Sequence, residues 1–266
     1  MLLWACGVAS CIAGVSEPAS NQEITSISQL YRLPHEQATP GRSFRFKGVV
    51  LCYDLGWGQF YVHNGSETAY FNPRSFPTQL EQGQSVEITA TAIMAGNSPT
   101  LTNLQMRVLG RAALPAPTAV RVPEMGGSFG QWVETEGRVR VAENSRGRLA
   151  LILSHQGKNC LVYVMGPLGE DAFRRLMDAK VKVRGINGSK VVKGELDSAI
   201  LYAASVADVE ILEPSMADPR ELPVVSIDAL LNRALGDWTN QVVHLNGIVT
   251  SSTPGESVVA RGLLSR

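Results

Sequence analysis

The sequence predicts a mainly β chain of tandem five-stranded barrels with short capping helices, and three observations carry that prediction. The first is a strand pattern that occurs three times, as Phe44-Arg45-Phe46-Lys47-Gly48-Val49-Val50, Val133-Glu134-Thr135-Glu136-Gly137-Arg138-Val139 and Val243-His244-Leu245-Asn246-Gly247-Ile248-Val249. In each copy the residues four before and two after the glycine are apolar, and those three and one before it are polar, as in a strand with one buried face. The second is the glycine itself, which returns after 89 and then 110 residues, a spacing of domain size. A mid-strand glycine costs stability, so Gly48, Gly137 and Gly247 mark a bend or bulge in a curled sheet. The third is the run of strands and turns behind each copy.

In the first repeat, residues 24–112, a short helical stripe at positions 24, 27, 30 and 31 leads in and ends at Pro34. Strand one at 44–53 turns through 54–58 into strand two at 59–63. Asn64-Gly65 predicts a tight type I′ hairpin into strand three at 67–71. Residues 86–92 and 104–108 alternate as strands four and five, and 114–117 read as a linker. Five strands with a connection between the third and fourth is the order of an OB-fold.

The second repeat, residues 117–213, gives strands at 132–141, 149–154 and 160–164 and a capping helix at 171–177 with Phe173, Leu176 and Met177 on one face. A hairpin about Asn187-Gly188 and a closing strand at 206–212 complete it, with no clear lead-in helix. After a Pro-rich linker at 214–223, the third repeat (224–266) opens with a helical stripe at 225–231 and strands at 241–250 and 257–264. Two strands cannot close a barrel and would expose a sheet edge, so a longer parent protein is expected.

Composition narrows the function classes. Apolar residues make up 44% and charged ones 18%, as in soluble globular chains. The 24 basic and 24 acidic residues cancel, so no net field draws in a polyanion, and nucleic acid is disfavoured as a partner. Residues 2–15 carry no charge, too short a run to span a bilayer and the right length for the apolar part of a secretion signal. Export is therefore expected, although no Lys or Arg precedes Arg32. Val8-Ala9-Ser10-Cys11 also fits a lipoprotein box with Cys11 as lipid acceptor; cleavage near 16–20 and an anchor retained within 1–22 are the alternatives.

Several motifs suggest chemistry and fail on context. Met125-Gly126-Gly127-Ser128-Phe129-Gly130 contains Gly-x-Ser-x-Gly, but a nucleophile elbow needs a strand before the serine and a helix after it. Pro123 precedes this one and a strand follows, which makes it a Gly-rich turn. Gly56-Trp57-Gly58 lacks the third glycine of a dinucleotide loop, and Gly157-Lys158 lacks Walker spacing. His35, His63, His155 and His244 are scattered, and Cys52 and Cys160 fall in different repeats, so neither a metal site nor a cofactor is expected. Cys52 shares the alternation face of Phe46 and Val50 and reads as a core thiol.

One enrichment points to binding. Tyr53, Trp57, Phe60, Tyr61, Tyr70 and Phe71 place six of the 17 aromatic residues in one short stretch, on strands one to three and the first loop. In an OB-fold that face and loop form the ligand surface, where rings stack on bases or sugars. Alternation buries either Phe60 with Val62 or Tyr61, not both sets. The candidate ligand-binding residues are Tyr53, Trp57, Tyr61, Tyr70 and the nearby Arg45.

The residues Ile24-Thr25-Ser26-Ile27 with Leu30, then Phe46-Lys47-Gly48-Val49-Val50 and Gly58-Gln59-Phe60-Tyr61-Val62, resemble the extracytoplasmic OB-like repeats that stand ahead of the membrane segment in some bacterial sensor histidine kinases. Residues 225–231 with 245–249 resemble the opening of another such repeat. The resemblance implies a non-catalytic sensor module on the periplasmic or extracellular side. It would bind a small ligand or protein partner and pass a conformational change to downstream transmembrane and kinase domains. No phosphoacceptor helix or ATP-binding glycine box occurs in these residues. A binding module for oligosaccharide or single-stranded nucleic acid is the alternative.

Overall fold

In a computed structural model of the chain, the described residues are 23–33, 41–76, 78–96, 98–166, 175–215, 224–231, 243–245, 247–252 and 258–262. The leader with Cys11, most of the capping-helix stretch and most of the linker at 214–223 lie outside them. Among the described residues no helix is long and apolar enough to cross a membrane. The chain divides into two compact units, residues 1–46 with 88–105 and residues 47–87 with 106–266, a division that falls inside strands of the first repeat.

The first repeat contributes β1 (Arg42–Asp54), β2 (Gln59–His63), β3 (Thr68–Tyr70), β4 (Gln84–Ala95) and β5 (Ser98–Arg111), ordered β3-β2-β1-β4-β5 in one sheet. No β3–β5 pairing occurs among the described residues. In the first unit a helix at Ile27–Tyr31 is capped by Ser26, whose side chain accepts from Gln29 N. Just before it, Ile24 forms a parallel bridge to Phe44. Phe44 and Phe46 are fully buried and stack with centroids 6.3 Å apart.

The second repeat contributes β6 (Thr118–Ala119), β7 (Trp132–Ser145), β8 (Arg148–His155), β9 (Lys158–Val164), β10 (Lys180–Asn187), β11 (Lys190–Val192), β12 (Glu195–Ala203) and β13 (Val209–Glu213). Its pairings run around a closed ring, β7 to β8 to β9 to β12 to β10 and back to β7. Within this ring β9 with β12 is the parallel pair and the other four pairs are antiparallel, which is the OB arrangement. Leu149, Leu151, Leu153, Val162, Val181 and Leu201 fill the interior at 0–1% exposure. Leu176, from the expected capping segment, is buried in the same core.

Four expectations are corrected. The closing strand is β12, not 206–212, where a 3-10 turn (Val206–Asp208) leads into β13, an added strand on β10. Asn187-Gly188 is no hairpin turn, because β11 pairs with β12 and not with β10. The two-residue turns are Arg146-Gly147, Gln156-Gly157 and Lys193-Gly194, in which both residues have positive φ. Asn64-Gly65 belongs to a four-residue loop: Asn64 N donates to Glu67 O, and Asn64 Oδ1 accepts from Ser66 N and Glu67 N. The second repeat does have a lead-in: β6 runs parallel to β7, and a 3-10 segment (Val122–Gly127) stands where the first repeat has its helix.

The third repeat shows its opening in two pairs. β14 (Val224–Val225) runs parallel to β15 (His244–Leu245), and β16 (Gly247–Ser252) antiparallel to β17 (Val258–Gly262). The recurring glycines have a structural counterpart. The ladder slips between Val50 and Cys52, between Val139 and Val141, and between Val249 and Ser251, so the residue left out of register stands three past each glycine. At Gly48 a Cβ would lie 2.3 Å from His63 O and 2.8 Å from Val62 Cγ1. At Gly137 the nearest atoms would be Leu153 Cβ at 3.0 Å and Ser154 O at 3.2 Å. The glycine therefore lets strand two cross closely just before the bulge.

Glu87 on β4 ties two neighbours together, with Lys47 Nζ at 3.1 Å and Arg107 Nη2 at 2.9 Å. Its carboxyl is held below the ordinary 4.5, first by the Lys47 hydrogen bond, against burial and with help from Arg107.

Two outcomes are expected. Gly48→Ala should cost about 2–3 kcal/mol in denaturant unfolding and Gly137→Ala about 1, because the added methyl would overlap the His63 carbonyl outright at the first, whereas at the second Leu153 Cβ and Ser154 O stand at 3.0 and 3.2 Å and have only a little to give. The Glu87 contribution is present above pH 4.5 and lost as pH falls through the lower folded value. The melting-temperature gap between wild type and Glu87→Gln should then narrow below that pH in a thermal series.

Candidate functional site

From Val49 to Cys52 the first strand has no exposed side, since all four residues are buried. A strand alternates while one face meets solvent; an unbroken apolar run means both faces are covered. The outer face meets the second repeat: Val49, Leu51 and Cys52 form a cluster with Trp132, Met165 and Ile186, flanked by Trp57, Tyr61, Tyr163 and Tyr202. Trp57 lies on Tyr163 with centroids 4.6 Å apart, and Tyr163 stacks on Tyr202 at 6.1 Å. Burial pushes the Cys52 thiol far up, with Asp208 and Asp54 adding to the shift, and pushes Cys160 up to about 12. Neither is a thiolate at neutral pH.

Two polar links cross the same junction. Asp54 Oδ1 accepts from Trp57 N at 2.9 Å, which fixes the β1–β2 turn, while its Oδ2 takes Arg148 Nη2 at 2.6 Å and Nε at 2.7 Å. The Asp54 side chain is 4% exposed. Gln82 Nε2 donates to Leu51 O at 3.1 Å and to Asp208 Oδ2 at 3.0 Å. Leu51 is the residue the bulge leaves out of register, and Gln82 satisfies its carbonyl. Asp208 also accepts from Ala204 N and Ser205 N, and burial raises its pKa despite these bonds.

Beside the links a cleft of about 850 Å³ opens between the two repeats. Tyr53, Leu55 and Leu80 line one side, and Arg148, Met165 and Ser205 the other. That volume is in the range of small-molecule sites. Tyr53 is held edge-on to Phe60 at 5.5 Å, and its hydroxyl is shifted up by burial and then by Asp54.

The structure thus sorts the aromatic stretch. Phe60 and Phe71 are core, at 0% and 3% exposure, and Val62 points inward with Phe60. Tyr61 faces the other way, into the junction, where burial raises its hydroxyl pKa far above 10. Tyr70 is 52% exposed, 5.4 Å from Tyr61, and donates its hydroxyl to Gly58 O. Arg45 belongs to the first unit, with Nε 3.1 Å from Glu23 Oε1. Tyr53 alone of the candidates lines the cleft. Asp54, Arg148, Gln82 and Asp208 were not singled out in the sequence. The run Val49-Val50-Leu51-Cys52 was the local sign of a second covered face.

The Gly-x-Ser-x-Gly segment is structural. Ser128 is buried, its Oγ accepts from Asn187 Nδ2 at 2.8 Å, and a 3-10 segment precedes it. Among the described residues no group of three or more His, Cys, Asp or Glu could hold a metal ion.

No family model matches the chain, and no curated protein does. Among solved structures it is similar to an aspartyl-tRNA synthetase from Entamoeba histolytica, at 12% identity over 39% of this chain and 23% of that one, with a TM-score of 0.30. A putative aspartyl-tRNA synthetase from Leishmania major Friedlin shares 12% identity over 50% and 29%, also with a TM-score of 0.30. An asparaginyl-tRNA synthetase from Pyrococcus horikoshii shares 19% over 44% and 29%, with the same TM-score of 0.30. The chain spans less than a third of the length of each.

Trp57→Ala is expected to cost about 1–3 kcal/mol of stability, since a half-buried ring is lost from the junction. Arg148→Met should cost about 3 kcal/mol by leaving Asp54 buried without its partner, and Asp54→Asn with Arg148→Met should recover part of it. Urea unfolding of the three variants checks both.

Proposed function

We propose that the chain is a non-catalytic binding module whose ligand lies in the junction cleft, and that the ligand is a neutral polar one of oligosaccharide type. The observation that carries this reading is the cleft wall itself. It combines an aromatic ring, Tyr53, with hydrogen-bonding groups whose charges cancel locally: Asp54 is paired with Arg148 in the wall, and the lining Glu81 is paired with Arg111 from beyond it. A polyanion needs a net positive groove, which this pairing does not offer. A sugar needs a ring to stack on and paired donors and acceptors around it.

The resemblance to extracytoplasmic repeats of sensor kinases supplies the setting we propose: an exported module that passes ligand binding to downstream membrane and kinase domains. The junction supports it, because a ligand gripping both walls would bias the Asp54–Arg148 and Gln82–Asp208 links.

Calorimetric titration with neutral hexasaccharides and with oligothymidylate, each at low and high salt, tests the reading. Saturable, salt-insensitive sugar binding is expected, weakened at least tenfold by Tyr53→Ala and abolished by Thr78→Trp. Salt-sensitive oligothymidylate binding without sugar binding would overturn it in favour of a single-strand reader.

A further inference from the structure

A second cavity, of about 490 Å³, lies in the second repeat and shares no lining residue with the junction cleft. Its origin is a local splaying of strands. β9 and β12 run parallel, and their first rung is Cys160 opposite Ala199. Two residues before that rung stand Lys158 on β9 and Asp197 on β12. Strands kept at ladder spacing, about 4.8 Å, would bring these opposite charges face to face as an ion pair.

They do not meet. β12 turns to pair with β11, placing Ser198 opposite Lys190, while β9 stays with β8, placing Lys158 opposite His155. Among the described residues neither Lys158 nor Asp197 is ion-paired. Both line the cavity, together with Val122, Ile152, Leu161 and Leu196.

We infer that this cavity binds a small zwitterion with an apolar side chain, an apolar α-amino acid or dipeptide. The ammonium group lies toward Asp197, the carboxylate toward Lys158, and the side chain against Ile152, Leu161 and Leu196. Both side chains are exposed, so a ligand with a single charge would engage one of them and leave the other in solvent, gaining one charge contact where a zwitterion gains two. A ligand with both charges restores the rung that the splayed strands leave open. The volume is within the range of small-molecule sites.

The test is titration of the full chain with L-leucine and with L-leucyl-L-leucine, each also as its N-acetyl and its carboxamide form. Saturable binding of at least one zwitterion is expected, with affinity reduced at least tenfold by either cap. Lys158→Ala and Asp197→Ala, both at exposed positions, should each cause a similar loss. Ser198→Trp should abolish binding, and Tyr53→Ala should leave it unchanged. The amino acid and dipeptide arms identify the source. Absence of binding by both zwitterions, equal binding of capped and free forms, wild-type affinity in both charge variants, or loss in Tyr53→Ala would each overturn the assignment.

Discussion

The bulge that follows Gly48 is the constraint on which the junction depends. Without the close crossing at His63, strand one could not hand its pairing over so abruptly, and without the slip between Val50 and Cys52 the residue Leu51 would sit in ordinary register. The slip leaves Leu51 buried with its carbonyl turned to Gln82, and Gln82 reaches on to Asp208 of the second repeat. One backbone irregularity thus provides both an apolar residue and a polar anchor for the neighbouring barrel. The same slip in the second and third repeats shows it to be a property of the repeat.

The junction mixes two kinds of interaction with different consequences. The apolar cluster of Val49, Leu51, Cys52, Trp132, Met165 and Ile186 supplies non-directional burial. Asp54–Arg148 and Gln82–Asp208 add direction, because charges and amides held at low exposure accept few alternative geometries. The β1–β2 turn shows how they cooperate: Asp54 fixes the backbone of Trp57 while its other oxygen holds Arg148. Ring placement on Tyr163 and the inter-repeat ion pair therefore share one carboxylate.

Much of the fold was legible in the sequence because it is written locally. Strand one announces itself by alternation around its glycine, and the inward set Phe44, Phe46 and Val50 follows from period two. β12 was missed because its inward positions are Ala199, Leu201 and Ala203, where small residues give a weak signal, and it opens on polar Glu195. Its turn was missed because Lys193-Gly194 lacks the Asn or Asp that usually marks a type I′ hairpin, although the glycine is there. The site was harder to read. Aromatic crowding located Tyr53, Trp57 and Tyr61, but Tyr163 meets Trp57, Tyr202 shares a cluster with Tyr61 and Arg148 meets Asp54 across about 90 residues or more of chain, a distance no local pattern spans.

The central claim is that the two repeats are joined through specific contacts at the junction. A double-mutant cycle on Trp57→Ala and Tyr163→Ala, read by urea unfolding of the chain, measures the ring contact apart from burial in general. A coupling of about 0.5–1.5 kcal/mol between the two substitutions is expected for an aromatic pair at this distance. Strict additivity, with the double variant losing the sum of the two single losses, would show that the rings do not meet and would contradict the account.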